Sequence, residues 1–143
     1  MYYIFTPNFP KLPVSALSRY YLQNPLMHLT DKGNRLDIFR FNFFHELGHV
    51  YAEHISKTVA NLELSDHKAY VDSPEEAYAN LFAGKELVSD EIYEKVKKDP
   101  RKANIEQWAR SAGIHVSLLY GRLCRDEILQ YERVDRFRVK IHE

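Results

Sequence analysis

The chain is nearly devoid of cysteine. Cys124 stands alone among 143 residues, so no internal disulfide can form, and a reducing, cytoplasmic setting is the simplest expectation. Long apolar runs are missing as well: nothing approaches the roughly 20 consecutive apolar residues that cross a bilayer, and no membrane span is expected. The opening MYYIFTPNFPKLP has neither a basic leader region nor a long apolar core and carries early prolines, so no secretory signal is expected either. An excess of charge of one sign is absent too. Twenty Lys and Arg balance 20 Asp and Glu. Phosphate neutralisation needs a clustered basic excess, so nucleic acid is not expected as a direct partner. Internal repeats and low-complexity tracts are also lacking.

What remains is ordinary globular composition. Hydrophobic residues make up 45% of the chain, with ten Tyr and eight Phe, enough to bury a core in one domain spanning residues 1–143. Residues 2–5 (YYIF) read as a short strand, and Pro7, Pro10 and Pro13 as an extended connection. Segments 18–22 and 26–30 read as strands around a break at Asn24-Pro25, and the DKGN at 31–34 is a turn signal. From Leu36 to about His54 the chain has no proline and apolar residues on nearly every face, which describes a buried helix. Residues 56–72 read as a loop. A second helix starts at Ser73-Pro74-Glu75-Glu76, where Ser73 suits the N-cap, Pro74 the first helical position and Glu76 the third residue of a capping box. Amphipathic helices follow in DEIYEKVKK, ANIEQWARSAG and VSLLYGRLCRDEI, broken at Asp99-Pro100 and Gly113; the last residues are ambiguous between helix and strand.

Chemistry concentrates at residues 45–49, HELGH, within the buried helix. Four residues apart, His45 and His49 lie about 40° from each other on one helix face, so both imidazoles can converge on one ion. Glu46 projects beside them, placed to take a proton from water activated by the metal. Chance alone would place such a pentapeptide in roughly 3% of chains of this composition. Chance matches fall mostly in polar surface helices, however, whereas this one is embedded in FRFNFFHELGHVYAEH. Two imidazoles and a carboxylate are costly to bury there without a partner, and a cation supplies one.

A catalytic zinc site needs a third protein ligand. His54 follows His49 by five residues, about 140° around the helix, and cannot join the same ion while the helix continues. A carboxylate on the second helix is the better candidate. Helical phase favours Glu76 over Glu75, because Glu76 shares a face with Ala79, Asn80, Ala83 and Leu87, a stripe of small residues that lets the two helices approach closely. Both acids also suit the first helical turn through the helix dipole alone.

Three segments in order, FNFFHELGHVYAEH, PEEAYANLFAGKELV and WARSAGIHVSLLYGRL, resemble the ImmA/IrrE family of zinc metallopeptidase domains over about Leu12 to Ile128. The resemblance implies His45, His49 and Glu76 as ligands of a Zn2+ ion and Glu46 as general base. Two positions depart from the family pattern: Ser89 stands where a proline is usual, and Tyr78 where a second acid is common. Asn80, one turn after Glu76, is placed to hydrogen-bond a ligating histidine. Tyr78, Tyr51 and His115 are candidates for stabilising an oxyanion, and the sequence does not choose among them.

The fold expected is mostly helical α+β, a zincin-like single domain with a small antiparallel sheet beside the HELGH helix and the metal between that helix and the one starting at Pro74. The resemblance further implies a zinc-dependent endopeptidase whose protein substrate is a helix-turn-helix repressor, cleaved or inactivated to relieve repression. Arg110, Arg122 and Arg125 sit among mixed charges and the apolar set Trp108, Leu118, Leu119 and Leu123, so the last helices read as a packed pair rather than a DNA reader. Any DNA contact is expected to belong to the partner. The competing reading is a regulatory or antitoxin-type module that binds zinc without turning over peptide.

Overall fold

A computed structural model describes residues 1–8, 15–53 and 73–142. His54, the 56–72 loop and most of the proline-spaced connection lie outside the described residues. Among the described residues the order is β1 (Tyr2–Thr6), β2 (Ala16–Tyr21), β3 (Asn24–Thr30), α1 (Leu36–Tyr51), α2 (Pro74–Leu87), α3 (Asp90–Lys98), α4 (Lys102–Ala112), α5 (Val116–Arg125) and α6 (Tyr131–Val134), then a 3-10 turn at Asp135–Phe137. This is a small, mostly helical α+β fold. No described helix is long and apolar enough to cross a membrane.

The chain forms two compact units, one of Met1–Lys32 with Asn42–Ala83 and one of Gly33–Phe41 with Gly84–Glu143. In the first unit the sheet order is β1-β3-β2. β2 and β3 are antiparallel, as expected, but β1 runs parallel to β3, so the sheet is mixed rather than antiparallel. Chain direction alternates through three successive strands, so the first and third are parallel whenever they become neighbours. A two-residue turn at Leu22-Gln23, with φ of 46° and 63°, commits β2 to one edge of β3 and leaves β1 the other. The break is therefore two residues earlier than Asn24-Pro25 suggested. Pro25 is instead the second residue of β3, opposite Tyr20, and pairing with β1 begins only at Leu26, so the missing N–H falls where β3 has a single neighbour. Central β3 carries the buried residues Leu26, Met27, Leu29 and Thr30.

One row across the sheet matters for the site: Tyr3, Met27 and Ser18 are in register and therefore on one face. Met27 is fully buried, and Tyr3 stacks on Phe43 of α1 at 6.2 Å between ring centroids. The helix ends at Tyr51, followed by Glu53 at φ 55°.

The second unit is helical. Tyr93, Val96, Ile105, Leu119, Tyr120 and Leu123 form its core. Ser89 caps α3, accepting from Ile92 N at 3.4 Å, which gives the residue standing in place of the family's proline a local role. Gly113, at φ 67°, closes α4 in the left-handed conformation that glycine adopts without strain. Arg138 donates to Asp37 Oδ2 from Nε at 3.0 Å and Nη2 at 2.8 Å, with both side chains 5% exposed. This buried pair ties the C-terminal segment to the first turn of α1, and Gly121 lies so close to Asp37 that no β-carbon would fit. The ambiguous tail resolves as α6 and the 3-10 turn.

Candidate metal centre

Two helices carry the site, and the first unit contains all of it. On α1 the four-residue spacing sets His45 and His49 one turn apart, with their rings 4.8 Å apart edge to face. On α2 only the N-cap half of the expected capping box forms: Glu76 N donates to Ser73 Oγ at 3.2 Å, fixing the first turn, while the Glu76 carboxylate turns to His45 and His49 instead of back to Ser73. Glycine allows the two helices to meet. A β-carbon at Gly48 would lie 3.2 Å from Ala79 Cα and from the Phe82 ring, and Ala79 and Ala83 are fully buried.

The three side chains converge. His45 Nε2 is 3.1 Å from Glu76 Oε2, His49 Nε2 is 2.9 Å from Glu76 Oε1, and the two Nε2 atoms are 3.1 Å apart. Ligand atoms of all three residues lie within 4.8 Å of one another. Glu75, the other first-turn acid, is not part of this cluster.

The donor chemistry fits a cation. His45 Nδ1 donates to Asn80 Oδ1 at 3.0 Å, so a neutral His45 turns the lone pair of Nε2 toward the carboxylate. Glu76 Oε1 is buried with no hydrogen bond despite its 2.9 Å approach to His49 Nε2. His45 Nε2 and Glu76 Oε2, 3.1 Å apart, then face each other as two acceptors, an arrangement that a cation between them relieves. Ligands about 2.0 to 2.1 Å from a tetrahedral zinc sit about 3.3 Å apart, close to the observed separations.

Glu46 belongs to the same unit and is 8% exposed. Its Oε2 accepts a hydrogen bond from the Ser18 hydroxyl on β2. Burial pushes the Glu46 carboxyl above its ordinary value; the Ser18 hydroxyl and His45 pull it down, the charge of Glu76 pushes it up, and the Ser18 backbone N–H pulls it down.

A family model described as the IrrE N-terminal-like domain, Peptidase_M78, matches residues 6–123. The chain belongs to this family. IrrE N-terminal-like domains form a metallopeptidase family, and His45, His49 and Glu76 are the residues that here offer a metal site. No curated protein and no solved structure matches the chain.

The remaining candidates are distributed differently. Tyr51 and Tyr78 both stack on Phe82, at 5.9 and 6.2 Å between centroids, and Tyr51 is 75% exposed. His115 is in the second unit, where its Nδ1 caps α5 by accepting from Ser117 N at 3.1 Å. Ser18 is the residue that sequence reasoning missed. It lies 28 positions from Glu46, in a strand where nothing marks one small polar residue as special.

Proposed function

We propose that this chain is a zinc-dependent endopeptidase. The observation that carries the reading is the convergence of His45, His49 and Glu76 with the buried carboxylate of Glu46 beside them, in a chain of a metallopeptidase family. His45, His49 and Glu76 would hold the ion through two imidazole nitrogens and a carboxylate. Zinc bound there supplies a Lewis acid for the scissile carbonyl and water of lowered pKa.

The residues of the chain do the rest. Asn80 fixes the His45 ring through Nδ1–H, so that Nε2 is presented as a ligand. Glu46 accepts the proton of the attacking water and delivers it to the leaving amine. Gly48 and Ala79 set the spacing of the two helices that supply the ligands.

The substrate reading is a helix-turn-helix repressor protein, inactivated by cleavage so that repression is lifted. It is supported by the family resemblance and by a zero formal charge that favours a protein partner over nucleic acid. Incubation of the zinc-loaded chain with a repressor encoded beside its gene tests this: new repressor fragments and lost operator binding support it, and an intact repressor counts against it. Glu46→Gln separates hydrolysis from a zinc-binding module without turnover. That variant keeps zinc and cleaves nothing if Glu46 is the base; if loss of repression persists in it, the non-hydrolytic reading is correct.

A further inference from the structure

We infer that Ser18 is a positioning residue for Glu46: its hydroxyl, delivered by the edge strand β2, donates to Oε2 and holds the carboxylate in one orientation toward the attacking water. The inference rests on the hydrolytic reading above and adds to it the group that orients the base.

Geometry carries it. A glutamate side chain has three rotatable torsions, and a base that swings through several rotamers loses most of the advantage of being near its substrate. Helix α1 fixes only the backbone of Glu46. The carboxylate is held from across the fold, by a residue whose own place is over-determined. Ser18 pairs with Met27, which is fully buried, and Met27 pairs in turn with Tyr3, whose ring stacks on Phe43. Phe43 and Glu46 are three residues apart on α1, so the row Tyr3-Met27-Ser18 grips one side of the helix at two points. A slip of one residue in β2 would put Leu17 or Arg19 where Ser18 stands and turn the hydroxyl to the opposite face. The hydroxyl is thus supplied by a strand in a fixed register, as a preorganised site requires. Ser18 bonds to the base and not to the three converging side chains, so its loss should change turnover and leave metal binding intact.

The test compares zinc-loaded wild type, Ser18→Ala, Ser18→Thr, Ser18→Val and Glu46→Gln on fluorogenic casein, with zinc content measured on each. Threonine and valine match in shape and in strand preference and differ in the hydroxyl, so this pair remains decisive if Ser18→Ala folds poorly. Ser18→Ala and Ser18→Val should lower kcat about 10- to 100-fold with KM and zinc affinity within about twofold of wild type, and Ser18→Thr should recover most of kcat. A second readout needs no turnover: the infrared carboxylate stretch of Glu46, assigned by difference against Glu46→Gln, should shift in Ser18→Val and return in Ser18→Thr. Unchanged kcat in Ser18→Val beside an inactive Glu46→Gln overturns the inference and leaves the hydrolytic reading standing. Loss of zinc in Ser18→Val but not in Ser18→Thr also overturns it, since Ser18 would then support the ligands. A wild type that cleaves no casein, or a fully active Glu46→Gln, counts against the hydrolytic reading; an unshifted infrared band then still overturns the role given to Ser18.

Discussion

Gly48 on α1 and Ala79 on α2 are in such close contact that a β-carbon at Gly48 would lie 3.2 Å from Ala79 Cα. Backbone cannot yield as a flexible side chain can. In Gly48→Ala the two helices must move apart, and with them His45, His49 and Glu76. Alanine gains about 1 kcal/mol of helix propensity, while overpacking costs about 1 to 3 kcal/mol, so a net loss of stability is expected. Zinc affinity should fall more clearly than stability. Thermal unfolding and a chelator-competition titration measure the two effects separately.

Asn80 should matter for affinity more than for folding. It is exposed, yet its Oδ1 accepts from His45 Nδ1 at 3.0 Å. Asn80→Ala should weaken zinc binding about tenfold, and Asn80→Asp should bind at least as tightly as wild type, because a carboxylate accepts the same proton more strongly. The same competition titration reads both variants.

The Asp37 and Arg138 pair makes a prediction about the second unit. Each side chain is 5% exposed, and Asp37 Oδ1 has no hydrogen-bond partner, so Arg138 is the charge that compensates a buried carboxylate. Arg138→Met should cost about 3 to 5 kcal/mol in urea unfolding, because Asp37 is left buried alone. The double variant Asp37→Leu with Arg138→Met should recover a large part of that loss.

Cys124 is 4% exposed, and burial pushes its thiol above the ordinary cysteine value. Both effects suppress the thiolate that reacts. Ellman's reagent should therefore modify Cys124 at least about 100-fold more slowly in the native protein than in 6 M guanidinium, a contrast rapid modification of native protein would refute.

Local signals made much of this readable from the residues. The apolar run from Leu36 predicted α1, the Ser73-Pro74-Glu76 cap predicted where α2 begins, and the four-residue histidine spacing predicted which imidazoles meet. Helical phase favoured Glu76 over Glu75 without deciding between them, and the family resemblance pointed the same way. The strands were less readable. The hairpin turns at Leu22-Gln23, residues with no special tolerance for positive φ, whereas Asn24-Pro25 carries the familiar turn chemistry and lies in β3. Tertiary pairing overrode local preference there. The parallel placement of β1 depends on which strand edge is left open, which no single segment encodes. The long-range polar pairs, Ser18 with Glu46 and Asp37 with Arg138, join residues 28 and 101 positions apart and leave no periodic trace.

The most direct measurement of the central claim is peptide-bond cleavage by zinc-loaded wild type and zinc-loaded Glu46→Gln, compared at equal metal content. Wild type should hydrolyse its protein substrate with one zinc per chain, and Glu46→Gln should retain that zinc while losing at least about 100-fold in rate. Cleavage by Glu46→Gln at the wild-type rate, or a wild type that binds no zinc, would contradict the account.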